Sequence, residues 1–267
     1  MKSTKIYNLN NDIVVTQDQL DLWNDYLSDE KSPQEILQWS IGTFPHLYQS
    51  TAFGLTGLVI IDMLSKILHD DKQMIPLIFI DTLHHFPQTL DLMRKIEAKY
   101  YKPRSQQIHI FQPKGVSTEH EFIKQYGDSL WEREEDKYDF LVKVEPAHRA
   151  YQTLKVSAVL TGRRKSQGGS RANLQFVEVD EVNRILKINP LANWNFSQVK
   201  SYVYKQEVPY NELLDLGYKS IGDYHSTQPV GENEDERSGR WKGKVKSECG
   251  LHLPAEHAES LLSSATY

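Results

Sequence analysis

The stretch PLIFIDTLHHFPQTLDLMRKIEAKY, Pro76 to Tyr100, changes its hydrophobic period midway. Its opening, PLIFID, is an apolar run of strand length, whereas Phe86, Leu90, Met93 and Tyr100 then fall on one helical face, which a strand would not require. A strand followed at once by an amphipathic helix is the repeating unit of a parallel sheet. The alternation continues outward. Upstream, LYQSTAF runs into LTGLVIIDMLSKIL; downstream, QIHIF, VSAVLTG and ILKINPL are expected as strands, with a charged helical region from Ser117 to Leu154. The expected fold is α/β, a parallel twisted sheet with helices on both faces. Two helices precede it: one from Thr16 to Leu27, and one opened by a capping box in which Ser32 is the N-cap, Pro33 the first helical residue and Glu35 the partner. After about Gly217 the periodicity fades into a polar, glycine-containing segment.

Composition removes several classes. With 267 residues and a single cysteine, the chain holds a sizeable core but no intrachain disulfide, Cys-ligated zinc site or iron-sulfur cluster, each of which needs several thiolates. A formal net charge of -5 argues against general nucleic-acid binding, so any anionic ligand must be met by local cations. The N-terminus has no signal-peptide core and no stretch approaches a membrane span, so a cytoplasmic protein without membrane partners is expected.

In such sheets ligands bind beyond the carboxyl ends of the strands, and the chemically distinctive residues lie there. STAFG offers Ser50, Thr51 and Gly54 between a strand and a helix whose first-turn N-H groups can meet an anion. It matches neither the Walker A nor the Rossmann glycine spacing. Asp81 and Thr82 follow the strand PLIFID; Asp81 can accept from ribose hydroxyls or hold a neighbouring loop, and Phe86 can stack on a base or begin the helix core. His84 and His85 are adjacent, point apart and make no metal pair. TGRRKSQGGSR places Arg163, Arg164, Lys165 and Arg171 on a loop with Gly162, Gly168 and Gly169, suited to neutralising phosphates. Finally, in ERSGRWKGKVKSECGLH, Arg237, Arg240, Lys242, Lys244 and Lys246 precede Cys249, a setting that raises the thiolate fraction.

Taken in order, STAFGLTG, FIDTLHHFPQTL, TGRRKSQGGSR, INPLANWNFSQVKSYV, VPYNELLDLGYKSIGD and the terminal ECGLH resemble the thioredoxin-dependent phosphoadenosine phosphosulfate (PAPS) reductases, especially the fungal ones. The resemblance covers most of the chain after Thr43. It implies an adenine nucleotide alpha-hydrolase (PP-loop) fold, a homodimer, and reduction of PAPS by thioredoxin to sulfite and adenosine 3',5'-bisphosphate, with no bound cofactor. It implies Cys249 as the nucleophile that becomes a thiosulfonate. It places Ser50, Thr51, Phe53 and Gly54 in the nucleotide loop, and Asp81, Thr82 and Phe86 along the adenosine. Gly162, Arg164, Lys165 and Arg171 then fall to the 3'-phosphate and phosphosulfate, and Arg237, Arg240, Lys246 and His252 to the substrate side of the tail. Here Lys165 stands where the family commonly has arginine, Gly168 where serine is common, and Ala52 replaces a frequent serine, which puts more of the loop contact on Thr51. The corresponding division is an N-terminal helical segment 1–45, a nucleotide-binding domain 46–230 and a mobile catalytic tail 231–267.

A single thiol cannot close an internal disulfide, so a two-electron reduction through Cys249 needs an external dithiol, the role the resemblance gives to thioredoxin. The alternatives are an adenylyl sulfate (APS) reductase, whose relatives add paired cysteines for a cluster, and a non-catalytic PP-loop nucleotide-binding protein, which has no use for a nucleophile. Glu248 and His252 are expected to position the tail, since transfer to a formed thiolate needs no general base.

Overall fold

The computed structural model describes residues 4–69, 72–243 and Glu248. A small antiparallel ribbon, β1 (Ile6–Asn8) and β2 (Val14–Thr16), leads into α1 (Gln17–Ser28) and α2 (Pro33–Thr43). The Thr16 hydroxyl caps α1 by accepting from the Gln19 N-H, and Ser32 and Glu35 close the reciprocal capping box of α2. The strand-helix alternation then runs β3 (Leu47–Ser50), α3 (Leu55–Leu68), β4 (Leu77–Ile80), α4 (Pro87–Ile96) and β5 (His109–Phe111). The charged region forms α5 (Glu119–Tyr126), α6 (Leu130–Arg133), α7 (Glu135–Asp139) and α8 (Glu145–Thr153), followed by β6 (Ala158–Leu160), β7 (Val177–Asp180), β8 (Ile185–Ile188) and α9 (Phe196–Lys205).

The main sheet has six strands in the order β5-β4-β3-β6-β8-β7. Every neighbouring pair is parallel except β7 with β8, so the sheet is parallel with one antiparallel edge. That edge strand is an addition to the sequence expectation. VEVD carries two acids and is buried only at its two ends, with Glu178 and Val179 half-buried between them, as suits a strand at the rim.

Side chains alternate across the sheet, as the pleat requires. Leu47, Leu77, Phe79, Ala158, Leu160, Leu186 and Ile188 belong to the large core that also takes Leu58 and Ile61 of α3, Val199 of α9 and Leu20, Leu27, Ile36 and Leu37 of the two N-terminal helices. Ile78, Ile80, Val159 and Ile185 face the other way, onto Ala147, Ala150 and Tyr151 of α8. Helices therefore cover both faces. The helix after β4 departs from a uniform period: α4 passes into a π-helical turn at Glu97–Tyr101, and the extra residue brings Tyr100 and Tyr101 both into burial. A second π-helical turn, Phe140–Val144, joins α7 to α8 and carries the buried Lys143. Among the described residues no helix is long and apolar enough to cross a membrane.

The strand order reverses between β3 and β6: the chain moves outward from β3 through β4 to β5, then returns to β6 on the opposite side. The carboxyl ends of β3 and β6 thus splay their following loops apart, which opens a crevice at the switch point.

Candidate active site

A cavity of about 250 Å³ occupies that crevice. Its floor is the loop from Ser50 to Gly57, leaving β3 and entering α3; Gly54 is the N-cap of α3 and carries no capping side chain, so the first-turn N-H groups face the space. Thr51 shapes the turn: its Oγ1 accepts from the Phe53 N-H at 3.0 Å, and Phe53 adopts φ +58° with its ring buried against Phe79 at 5.1 Å. Below the loop, Gln49 Nε2 donates to the Gly57 carbonyl at 2.8 Å, tying the strand to the helix.

Close backbone approach explains two glycines. A Cβ on Gly57 would lie 2.1 Å from Thr51 Oγ1, and one on Gly162 would lie 3.2 Å from the Gly57 nitrogen. Alanine at position 57 would favour α3 by about 1 kcal/mol yet force Thr51 out of its turn. Gly57→Ala should therefore keep its thermal midpoint while losing about tenfold or more in affinity for a nucleotide bisphosphate, as read by calorimetry.

The loop after β6 forms one wall, and its arginines are all met by carboxylates. Arg164 is 2 % exposed: Nε donates to Thr56 Oγ1 at 2.9 Å, Nη1 to Ser166 Oγ at 2.8 Å and the Trp194 carbonyl at 3.4 Å, and Nη2 to both oxygens of Glu236 at 2.7 and 2.6 Å. Arg163 reaches Glu178 at 2.5 Å. Arg171 makes a two-bond fork to Glu248, Nε to Oε1 at 2.5 Å and Nη2 to Oε2 at 2.7 Å. Burial alone would push the Glu248 carboxyl up; the Arg171 bonds and charge, with Arg237 and Ser170 beside them, hold it below the ordinary glutamate value.

The opposite wall is the segment after α9, which folds back on itself. Gln228 N-H donates to the Gly239 carbonyl and Trp241 N-H to that of Ser226, while Lys219 Nζ donates to the carbonyls of Gly231, Glu232 and Glu234 at 2.8, 2.6 and 2.9 Å. Arg237 and Arg240 face the cavity from this segment and stack over the buried Trp241 at 5.8 and 4.4 Å. Asp223 pins the segment to β4. Its Oδ1 accepts from Thr82 Oγ1 at 2.6 Å, and Oδ2 lies 2.7 Å from Lys143 Nζ and 3.2 Å from Tyr138 Oη. Lys143 also meets Asp139 at 2.8 Å. Burial would raise the Asp223 carboxyl, but Lys143 and the hydrogen bonds override it and hold it well below the usual carboxylate range.

The cavity thus brings together Ser50, Thr51, Phe53, Gly54, Thr82, Gly162, Arg164, Arg171, Arg237 and Arg240. Three other sequence candidates stand outside its lining. Asp81 uses its carboxylate to hold the loop, accepting from the Leu83 N-H at 3.0 Å and Gln112 Nε2 at 2.8 Å. Phe86 is the N-cap of α4 and packs edge-on against Tyr218. Lys165 lies over the Phe176 ring at 5.6 Å. Cys249, Lys244, Lys246 and His252, and with them the expected mobility of the tail, lie outside the described residues. The histidines diverge as expected. His84 sits among Phe122, Trp131 and Tyr138, donates Nδ1-H to the Thr82 carbonyl and has its imidazole pushed below the usual histidine value chiefly by burial, whereas His85 faces the cavity. Sequence reasoning missed His85 as a wall residue, and also Lys143, Asp223 and Glu236. Their one-dimensional signal is only a single polar or charged residue, in an otherwise apolar run for Lys143 and in polar stretches for Asp223 and Glu236.

Fold and site define an α/β protein of the PP-loop type, with a cavity lined by arginines and hydroxyls at the switch point of its sheet. The phosphoadenosine phosphosulfate reductase domain is matched over residues 46–229. Phosphoadenosine phosphosulfate reductase of Saccharomyces cerevisiae is 64 % identical over 261 residues, 98 % of this chain and 100 % of that one. Adenosine 5'-phosphosulfate reductase of Geobacillus kaustophilus is 36 % identical over 227 residues, covering 85 % of this chain and 92 % of that one. A solved PAPS reductase from Candida auris, in a phosphate complex, aligns with TM-score 0.72 at 59 % identity, covering 81 % of this chain and 99 % of that one. Candida glabrata FMN adenylyltransferase, at 16 % identity and TM-score 0.56 over 95 % of this chain and 87 % of that one, shares the fold alone. The chain belongs to the phosphoadenosine phosphosulfate reductase family and is an enzyme of the oxidoreductase class.

Proposed function

We propose that the protein reduces PAPS to sulfite and adenosine 3',5'-bisphosphate in sulfate assimilation, with thioredoxin as electron donor and Cys249 as nucleophile. The observation that carries this reading is a nucleotide-sized cavity lined by hydroxyls, helix N-H groups and arginines, bordered by the segment that leads into ECGLH. The Cys249 thiolate attacks the sulfonate sulfur, the S-O bond to the nucleotide breaks, and adenosine 3',5'-bisphosphate leaves with the electron pair. A thioredoxin thiolate then attacks the Cys249 sulfur and sulfite departs with the pair of that S-S bond. The second thioredoxin thiol resolves the mixed disulfide, leaving thioredoxin oxidised and Cys249 reduced.

Cations matter because both reaction partners are anionic. Arg237 and Arg240 lie on the cavity wall, and the chain connects them to Cys249 through Lys242, Lys244 and Lys246. The single cysteine favours PAPS over APS as substrate in this reading, since the cluster-bearing APS enzymes need paired cysteines that this chain lacks. A homodimer in the cytoplasm completes the proposal, to be checked by light scattering and by cell fractionation.

Intact-mass spectrometry of the protein incubated with PAPS, without thioredoxin, tests the chemistry. The expected result is a sulfonate adduct localised to Cys249 and released as sulfite on adding reduced thioredoxin. Turnover with no adduct on Cys249 would overturn the mechanism.

A further inference from the structure

We infer that Glu248 is the positioning residue of the nucleophile: Arg171 and Arg237 seat its carboxylate on the loop after β6, and Arg171 acts through this seat rather than as a phosphate ligand. The inference rests on the reading of Cys249 given above. Glu248 is 8 % exposed and receives four hydrogen bonds: Arg171 Nε and Nη2 as a fork, Ser170 Oγ at 3.2 Å and Arg237 Nη2 at 3.4 Å. The remaining terminal nitrogen of Arg171 donates to Gln167 Oε1 at 2.5 Å, and that oxygen also accepts the Arg164 N-H at 3.0 Å. Each nitrogen of this guanidinium is therefore committed within the protein. A planar fork fixes direction as well as distance, which a point charge does not.

Covalent geometry carries the consequence to the thiol. Consecutive Cα atoms are about 3.8 Å apart across a trans peptide, so anchoring Glu248 restricts the positions open to Cys249. The same geometry argues against phosphate exchange at Arg171. A phosphate that displaced Glu248 would release the residue beside the nucleophile at the moment substrate arrives. A seat retained throughout nucleotide binding avoids that conflict, and misplacement of a reacting group by about 1 Å can cost on the order of a hundredfold in rate. Arg164 provides a second anchor on the same loop through its two bonds to Glu236, so the cationic stretch from Arg237 to Lys246 is flanked by two glutamates with arginine partners.

The test uses full-length Glu248→Gln, Arg171→Ala and the double variant, with three readouts. Single-turnover sulfonation of Cys249 by PAPS should slow about tenfold to a hundredfold in Glu248→Gln. Its affinity for adenosine 3',5'-bisphosphate should stay within about threefold or tighten, because the change removes a negative charge beside two arginines. Trypsin cleavage of the native protein after Lys244 and Lys246 should quicken about tenfold, reporting release of the seat. Arg171→Ala should likewise slow sulfonation and quicken cleavage while costing less than about tenfold in nucleotide affinity, and the double variant should be no worse than the worse single, as for two groups acting through one contact. Wild-type sulfonation and cleavage rates in Glu248→Gln would overturn the proposal. So would losses that add in the double variant together with a tenfold or greater loss of nucleotide affinity in Arg171→Ala alone. If the wild-type protein forms no adduct on Cys249, the reading of the nucleophile fails instead, and cleavage and nucleotide affinity still decide whether the seat exists.

Discussion

Serine in place of Cys249 should abolish sulfite release from PAPS while leaving adenosine 3',5'-bisphosphate bound. The two side chains have nearly the same shape, so the difference is chemical. A thiol of pKa near 8.5 supplies a few per cent thiolate at neutral pH, and neighbouring cations raise that fraction; a serine hydroxyl supplies essentially no alkoxide without a paired base. Sulfur is also the atom that must pass the sulfonate to a second thiol, and a sulfate ester on serine offers thioredoxin no sulfur-sulfur bond to open. The expected loss is therefore on the order of ten thousandfold or more, the scale seen when a nucleophile is removed. Binding should survive, because the described cavity is assembled by the loops after β3, β4 and β6 and the segment Tyr218–Trp241. A thioredoxin-coupled sulfite assay and calorimetry with the bisphosphate make the comparison. Retained turnover in the serine variant would remove Cys249 from the mechanism.

Most of the fold is legible because burial writes itself into periodicity. The apolar runs of β4 and β6 are buried on both faces, and the capping residues of α1 and α2 announce their starts. The edge strand β7 is less visible, since an edge carrying Glu178 and Asp180 offers no apolar run. The site divides along a different line. Loop residues next to strand ends, such as Thr51 and Arg164, are readable because position in the fold follows from the strand pattern. Their partners are not. Arg164 meets Glu236 from 72 residues away and Arg171 meets Glu248 from 77, and no local pattern encodes such a pairing. Asp81 shows the converse limit: its place after β4 is readable, but Gln112, a residue of the neighbouring strand end, decides that it holds the loop. Lys165 follows a buried arginine yet turns to Phe176, because successive side chains on an irregular loop need not share a direction.

Lys143→Met should destabilise the fold severely and invert its response to pH. The ammonium stands between Asp139 and Asp223, with the three side chains 8, 5 and 2 % exposed. Methionine is of similar length and apolar, so the variant leaves no large void but takes the ammonium partner away from two buried carboxylates. Removing one partner of a buried ion pair costs about 3–5 kcal/mol, a large share of a total that is typically about 5–15 kcal/mol. The sign follows from the protonation of Asp223. In the native protein its folded pKa is depressed, so its ionisation contributes stability above the unfolded value of about 3.9 and loses that contribution as pH falls through the folded value. Without Lys143 the largest influence holding the Asp223 carboxyl down is gone, and burial raises it. The folded state then binds more protons than the unfolded one, and stability falls as pH rises above about 4. Thermal unfolding at pH 8 should place the variant about 10 °C below the native protein, with the gap narrowing toward pH 5. Lys143→Met/Asp223→Asn should recover part of the loss by removing one of the two buried negative charges. An unfolding midpoint within about 2 °C of the native protein at both pH values would mean that the ion-pair triad does not hold the segment after Asp223 to β4. The cavity wall from Ser220 to Trp241 would then owe its position to the Lys219 clasp and to the Arg164 and Arg171 anchors instead.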